Sequence, residues 1–142
     1  MSNVMNARVK WVEKRTFLGE SGSGHSLVMD GAPESGGRDL GIRPMETLLL
    51  GMGGCTAFDV VHILEKAREK VIDCELEIEA DRAQDDPKVF TKIKIRYIVS
   101  GKNLSHDKVQ RAVELSAEKY CSASIMLRKS AEITHEVVLR DY

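Results

Sequence analysis

Apolar and charged residues alternate from Ala7 through Arg8, Val9, Lys10 and Trp11, the pattern of a strand with one face buried. Gly19-Glu20-Ser21-Gly22-Ser23-Gly24 supplies a turn and His25–Met29 a returning strand, so the N-terminal segment predicts a hairpin. Glycine, serine and proline then gather from Gly31 to Pro44, which reads as a loop within the domain. Pro44 suits the first turn of a helix, where its missing N–H is harmless. That helix is predicted to run to about Lys70, with Lys66, Arg68 and Lys70 at its negative dipole end. From Leu48 to Phe58 it is apolar all round, so it needs cover on nearly every side.

A strand pair follows. Cys74, Leu76, Ile78 and Ala80 alternate with Glu75, Glu77 and Glu79, and Ile93, Ile95 and Tyr97 alternate with Lys92, Lys94 and Arg96. A hairpin centred on Gln84-Asp85-Asp86-Pro87 sets Glu79 by Lys92, Glu77 by Lys94 and Glu75 by Arg96, opposite charges on the solvent face. It also puts Cys74 on the buried face. Ser105 is placed to cap a second helix, whose core stripe is Val109, Ala112, Val113, Ser116, Ala117 and Tyr120, with Cys121 at its edge. Ser122 is expected to cap a short third helix through Lys129, and Ile133, His135, Val137 and Leu139 alternate as a closing strand. The order describes an α+β domain.

At 142 residues the chain is expected to be one domain, 1–142, burying about two-thirds of its unfolded surface. A net charge of -1, with both signs interspersed, offers nucleic acid no basic face and a membrane no polybasic anchor. The stretch Met1–Trp11 lacks the layout of a signal peptide. Glu46, Asp59 and His62 interrupt the apolar run from Met45 to Leu64, so no membrane span is expected and the cytoplasm is the expected location. In that reducing compartment, three cysteines do not make a structural disulfide scaffold.

The chemistry worth weighing lies at Cys55, which follows Gly51, Gly53 and Gly54 inside the helix. Each glycine costs about 1 kcal/mol against alanine there, so their presence points to another backbone or a ligand close to the thiol. Cys121 is the second candidate, and the two together suggest dithiol redox chemistry. Nothing in the spacing itself brings their sulfurs together. Cys74 is explained by its strand. No metal is expected, because Cys-x-x-Cys spacing is missing and His25, His62, His106 and His135 are scattered. His62 lies about 10 Å along the helix from Cys55, which excludes a direct pair within one chain. Asp59, one turn from Cys55, reads as a polar contact at the helix rim that would oppose thiolate formation if near it.

Three segments carry a resemblance: Pro44-Met45-Glu46-Thr47-Leu48-Leu49, Gly53-Gly54-Cys55-Thr56-Ala57 and Ala117-Glu118-Lys119-Tyr120-Cys121-Ser122. With the strand pair between them, they resemble the OsmC/Ohr family of osmotically inducible and organic-hydroperoxide-resistance proteins, and most of all its YhfA-like branch. The resemblance implies an OsmC-like fold, with a long central helix packed on antiparallel sheet in an intertwined homodimer. It also implies thiol-dependent reduction of organic hydroperoxides without metal or organic cofactor. Cys55 would be the peroxidatic residue, passing through a sulfenic acid, and Cys121 the resolving one, closing a Cys55–Cys121 disulfide that a small dithiol or thiol-protein reductant reopens. Leu48, Leu49, Met52 and Phe58 would line an apolar wall favouring alkyl or lipid hydroperoxides. Two positions depart from the family pattern. The glutamate that commonly follows the proline is displaced by Met45, so Glu46 is the candidate for its role of pairing with a thiol-activating arginine. No arginine occurs between Gly19 and Gly24, which leaves Arg15, Arg38 and Arg43 as candidates. The alternative reading, a non-catalytic module of this fold that binds an apolar ligand or senses oxidants, follows from that missing arginine. A purely structural or interaction role requires only the helix and sheet pattern.

Overall fold

A computed structural model describes residues 3–142, so Met1 and Ser2 of the stretch read for a signal peptide lie outside the described residues. The chain divides into two compact units, one ending at Leu48 and the other spanning Leu49–Tyr142.

The N-terminal unit holds a three-stranded antiparallel sheet in the order β1 (Ala7–Glu13), β2 (Thr16–Ser21), β3 (Ser26–Met29). The expected hairpin is therefore a meander, and Gly19 to Ser21 belong to a strand instead of a turn. The strand was missed because the first turn carries no glycine or proline: Lys14 takes the left-handed conformation itself, at φ 52°. The real second turn is confined to residues 22–25 and closed by Ser21 N–H donating to His25 O at 2.8 Å.

The loop after β3 is organised by one buried side chain. Asp30 accepts hydrogen bonds from Thr16 Oγ1 and Gly31 N, each at 2.7 Å, from Arg38 N at 3.2 Å and from Leu40 N at 3.3 Å. Thr16 Oγ1 in turn accepts from Arg38 Nη2 at 2.8 Å. Burial raises the affinity of this carboxylate for a proton, but the four donors outweigh it and hold its pKa at about 2, below the usual 3.8. A depressed folded-state pKa stabilises the fold above the unfolded value and loses that stabilisation as pH falls through the folded one. Asp30→Asn is therefore expected to differ from wild type by a constant amount above about pH 4, the gap closing toward pH 2. Urea unfolding at stepped pH measures it, and a gap independent of pH would refute the assignment.

The helix α1 spans Pro44–Lys66. At its start Glu46 Oε1 accepts from Arg43 N–H at 2.8 Å, the reciprocal half of a capping box. Its end falls four residues short of the sequence expectation. Arg68 adopts φ 62°, with Arg68 N–H donating to Glu65 O and Glu69 N–H to Leu64 O, a Schellman stop whose left-handed residue is again not glycine.

The C-terminal unit is built on β4 (Lys70–Arg82), β5 (Phe90–Lys102) and β6 (Glu132–Asp141), in that order across the sheet. β4 and β5 are antiparallel as expected, but β6 runs parallel to β5, so the sheet is mixed. The register is two residues from the expected one: Glu77 faces Arg96 and Glu79 faces Lys94. A shift of two keeps every side chain on its predicted face, and the ion pair that forms is Glu77–Arg96 at 2.9 Å. The displaced register goes with the irregularity between Asp81 and Arg82. Cys74, on the inward face, is half-buried.

Ser105 caps α2 (His106–Leu115) by accepting from Lys108 N–H, as predicted. A π-helical turn, Ser116–Tyr120, follows, and then α3 (Ser122–Leu127). The wider turn breaks the helical stripe, so Tyr120 faces outward at 50% exposure while Cys121 is fully buried. The cap of α3 is Cys121, whose sulfur accepts from Ser124 N–H, and Ser122 is already helical.

Within this unit α1 lies against β4. A Cβ on Gly53 would meet Ile78 Cδ1 at 2.8 Å, so here the close approach expected of the glycines is real, although the neighbour is a side chain. Gly51 and Gly54 face open space. Met52, Thr56, Val60 and Leu64 are fully buried, whereas Leu50 and Phe58 are 63% and 73% exposed. The all-round cover expected for α1 is thus not supplied by the described residues. By length and mean hydropathy, 1.5, α1 could cross a membrane, and only 28% of that stretch is buried.

Candidate functional site

One turn of α1 and the π-helical turn after α2 bring the two sequence-predicted cysteines together. Cys55 Sγ, Cys121 Sγ and a carboxylate oxygen of Asp59 all lie within 4.8 Å of one another. Both cysteines are free thiols; Cys55 is half-buried and Cys121 fully buried. The helical period places Cys55 and Asp59 one above the other. Cys121 closes the π turn, which leaves it fully buried.

Cys121 is held by its neighbours. Ser124 Oγ donates to its sulfur at 3.1 Å and Ser124 N–H at 3.4 Å. Burial pushes the Cys121 thiol pKa up, the two Ser124 bonds pull it down, and the hydrogen bond and charge of Cys55 push it up again, leaving it raised. Cys121 therefore keeps its proton more readily than an open thiol does.

Asp59 is anchored by a string of buried hydroxyls. Ser116 Oγ donates to Asp59 Oδ2 at 2.9 Å, and Thr56 Oγ1 lies 2.7 Å from both Ser116 Oγ and Tyr97 Oη. Each hydroxyl has a single proton. With that of Ser116 spent on the carboxylate, Thr56 must donate to Ser116 and Tyr97 to Thr56. The string therefore runs one way, Tyr97 to Thr56 to Ser116 to Asp59. Burial, opposed by the Thr56 bond and aided by the charges of Cys121, Cys74 and Asp59, pushes the Tyr97 hydroxyl up to about 12, so it remains a donor at neutral pH.

Asp59 is thus part of the site instead of a rim contact. Sequence reasoning also missed Thr56, Ser116, Tyr97 and Ser124. A signal was present: Thr56 follows Cys55 directly, Asp59 lies one turn beyond it on the same face of α1, and Ser116 continues the core stripe of α2 into the π turn, where a hydroxyl needs a buried partner. Met52, fully buried, and Phe58, exposed and stacked with His62 at 6.3 Å, are on different sides of α1, so of the four residues expected to form an apolar wall, Leu48, Leu49, Met52 and Phe58, these two do not share a face within one chain. No fourth His, Cys, Asp or Glu joins the cluster among the described residues, so it falls short of the closed four-ligand zinc site.

The remaining candidates belong to the N-terminal unit. Glu46 is bound to Arg43 N–H. The Arg43 guanidinium pairs with Asp39 at 2.8 Å, and that bond, against the cost of burial and with the charges of Asp39, Glu46 and Asp30, raises its pKa. Arg38 pairs with Glu13 at 2.8 Å, and Arg15 Nη1 donates to Lys14 O at 3.2 Å.

A long helix, two small sheets and a cysteine pair joining the middle of that helix to a later helix start define a class. Residues 36–136 match the model of the OsmC-like protein family, and the chain belongs to that family. It is 53% identical over 131 residues to Protein YhfA of Escherichia coli strain K12, covering 92% of this chain and 95% of that one. The fold is shared with a hypothetical protein from Aquifex aeolicus VF5, at TM-score 0.82 and 31% identity over 97% of this chain and 98% of that one. It is also shared with an organic hydroperoxide resistance protein OsmC from Legionella pneumophila, at TM-score 0.70 and 17% identity over 95% and 96% of the two chains.

Proposed function

We propose that this chain is a thiol-dependent reductase of organic hydroperoxides. The observation that carries the reading is the meeting of Cys55 and Cys121, the first half-buried and the second fully buried, with its thiol pKa raised chiefly by that burial. Cys55, the more exposed residue of the two, is the thiol a hydroperoxide reaches first, and the enclosed Cys121 is the one placed to resolve. The name of the Legionella relative, an organic hydroperoxide resistance protein, favours that substrate class. Glu46 enters the reading as the carboxylate acting on Arg43, the candidate arginine whose charge it influences. A small dithiol or a thiol protein restores the pair by exchange. The cytoplasm, where thiols stay reduced, is the compartment that suits it.

The functional form in this reading is a homodimer of single-domain chains, 1–142. The open side of α1 carries Leu50, Gly51, Gly54 and Phe58, small and apolar residues that a second copy can cover. Lipid is the poorer cover, since Asp59 sits half-buried in the middle of that helix.

Purified protein is expected to consume cumene hydroperoxide with dithiothreitol as reductant, to show a Cys55–Cys121 disulfide on peptide mapping after one equivalent, and to sediment at twice the 15.8 kDa of one chain. Consumption no faster than in protein-free buffer would sink the enzymatic reading, and a monomer would sink the dimer. The other reading, an oxidant sensor or apolar-ligand module, is favoured by the partners that Arg38 and Arg43 already hold. It predicts oxidation by one equivalent that dithiol does not cycle.

A further inference from the structure

We propose that Asp59 is the proton carrier of the cysteine pair, accepting each thiol proton and passing it to the oxygen that leaves. The proposal rests on the peroxide reading above and assigns a residue that the three matched segments do not contain.

Asp59 has a carboxylate oxygen within 4.8 Å of both sulfurs, so one group reaches both thiols. The carboxylate is fixed by Ser116 at 2.9 Å, at the end of a string whose protons all point toward it. Thr56 and Ser116 are fully closed to solvent and Tyr97 is 1% exposed, so water does not replace their protons or reorient them. Among the described residues no buried side-chain oxygen or nitrogen is left unpaired, and the string is complete. A carboxylate beside a thiol opposes a standing thiolate by its charge. The same carboxylate serves a thiol that loses its proton only as it reacts, because the proton has somewhere to go at that moment.

The steps balance. In the first, Asp59 takes the Cys55 proton, and the sulfur attacks the terminal oxygen of the hydroperoxide. The S–O bond forms, the O–O bond breaks, sulfur is oxidised to sulfenic acid, and the departing alkoxide takes the proton from Asp59 and leaves as alcohol. In the second, Asp59 takes the Cys121 proton as that sulfur attacks Cys55. The S–S bond forms, the S–O bond breaks, and the departing hydroxide recovers the proton and leaves as water. Asp59 ends each step as it began.

Among the described residues, the titratable groups bearing on this cluster include Cys55 and Asp59 on α1, Cys121 before α3, Tyr97 on β5, Cys74 on β4 and, edge-on against the Tyr97 ring, His135 on β6. Asp59→Asn keeps an oxygen to accept from Ser116 and removes the proton site, so it separates proton transfer from the anchoring of the string. Stopped-flow measurement is expected to give a Cys55 sulfenic acid that converts to the disulfide about 10²-fold more slowly than in wild type at pH 7. The variant's rate should climb about tenfold per pH unit, as hydroxide replaces the missing base, while wild type changes far less. Formate is expected to restore part of the rate in Asp59→Gly. A conversion rate and pH profile equal to wild type in Asp59→Asn would overturn the proposal.

A second assay does not depend on peroxide. Cys55 is loaded as a mixed disulfide with thiopyridine, and expulsion of thiopyridone by Cys121 is followed by absorbance. Here too Asp59→Asn is expected to be slow and steeply pH-dependent. If wild type ignores hydroperoxide yet this difference holds, the peroxide reading fails and the proton assignment stands. If wild type reduces hydroperoxide and the variant matches it in both assays, the proton assignment alone fails.

Discussion

Cys55→Ser is expected to lower hydroperoxide consumption by about 10³-fold or more, to the rate of the dithiol by itself, while Cys121→Ser, given no reductant, takes one equivalent and halts as a sulfenic acid. A serine hydroxyl is a far weaker nucleophile toward the O–O bond and cannot hold the oxygen that sulfur keeps. The contrast between the two variants follows from their unlike surroundings. Cys55 is half-buried and reachable; Cys121 is fully buried, receives two hydrogen bonds from Ser124 and is held protonated by burial and by Cys55. With one equivalent of hydroperoxide and no reductant, dimedone should label Cys55 in Cys121→Ser and label nothing in wild type, whose sulfenic acid is consumed by the disulfide. Dimedone labelling of Cys121 in Cys55→Ser at the wild-type rate would reverse the roles.

Thr56→Val is expected to cost about 2–4 kcal/mol of folding stability and to lower the melting temperature by roughly 6–15 °C. Thr56 is fully buried and joins three elements through one oxygen: α1, which carries it, β5 through Tyr97 and the π turn through Ser116. Valine fills the same volume and ends both bonds. The Tyr97 hydroxyl, 1% exposed, is left with a proton and no acceptor, the expensive outcome for a buried donor. Thr56→Ser keeps the oxygen and loses one methyl group, a change of about 1 kcal/mol. Urea unfolding of the two variants checks the argument, and a valine variant as stable as the serine one would mean the string contributes nothing.

These two variants probe parts of the site that were unequally legible in the amino-acid order. Cys55 and Cys121 stood out because each interrupts a helical pattern. Thr56, Ser116 and Tyr97 did not, since a threonine in a helix, a serine on an amphipathic stripe and a tyrosine on a strand each have ordinary local explanations. Their meaning is mutual, spread over residues 41 and 60 positions apart.

Periodicity by itself determined the kinds and order of most elements: the helix opened by Pro44, the charged faces of β4 and β5, the Ser105 cap and the closing strand. These are local properties, set by which side chains recur at 3.6 or 2 residues and by caps within one turn. Where a left-handed residue was Lys14 or Arg68 instead of glycine, the local signal failed, and a strand and a helix end were misplaced. Only the tertiary structure decided that β6 runs parallel to β5, that Cys121 at the close of the π turn is fully buried, and that Asp59 joins both sulfurs. Those outcomes depend on which distant segments share a core, a choice made by burial and hydrogen-bond satisfaction over the whole unit, which spacing along the chain does not encode.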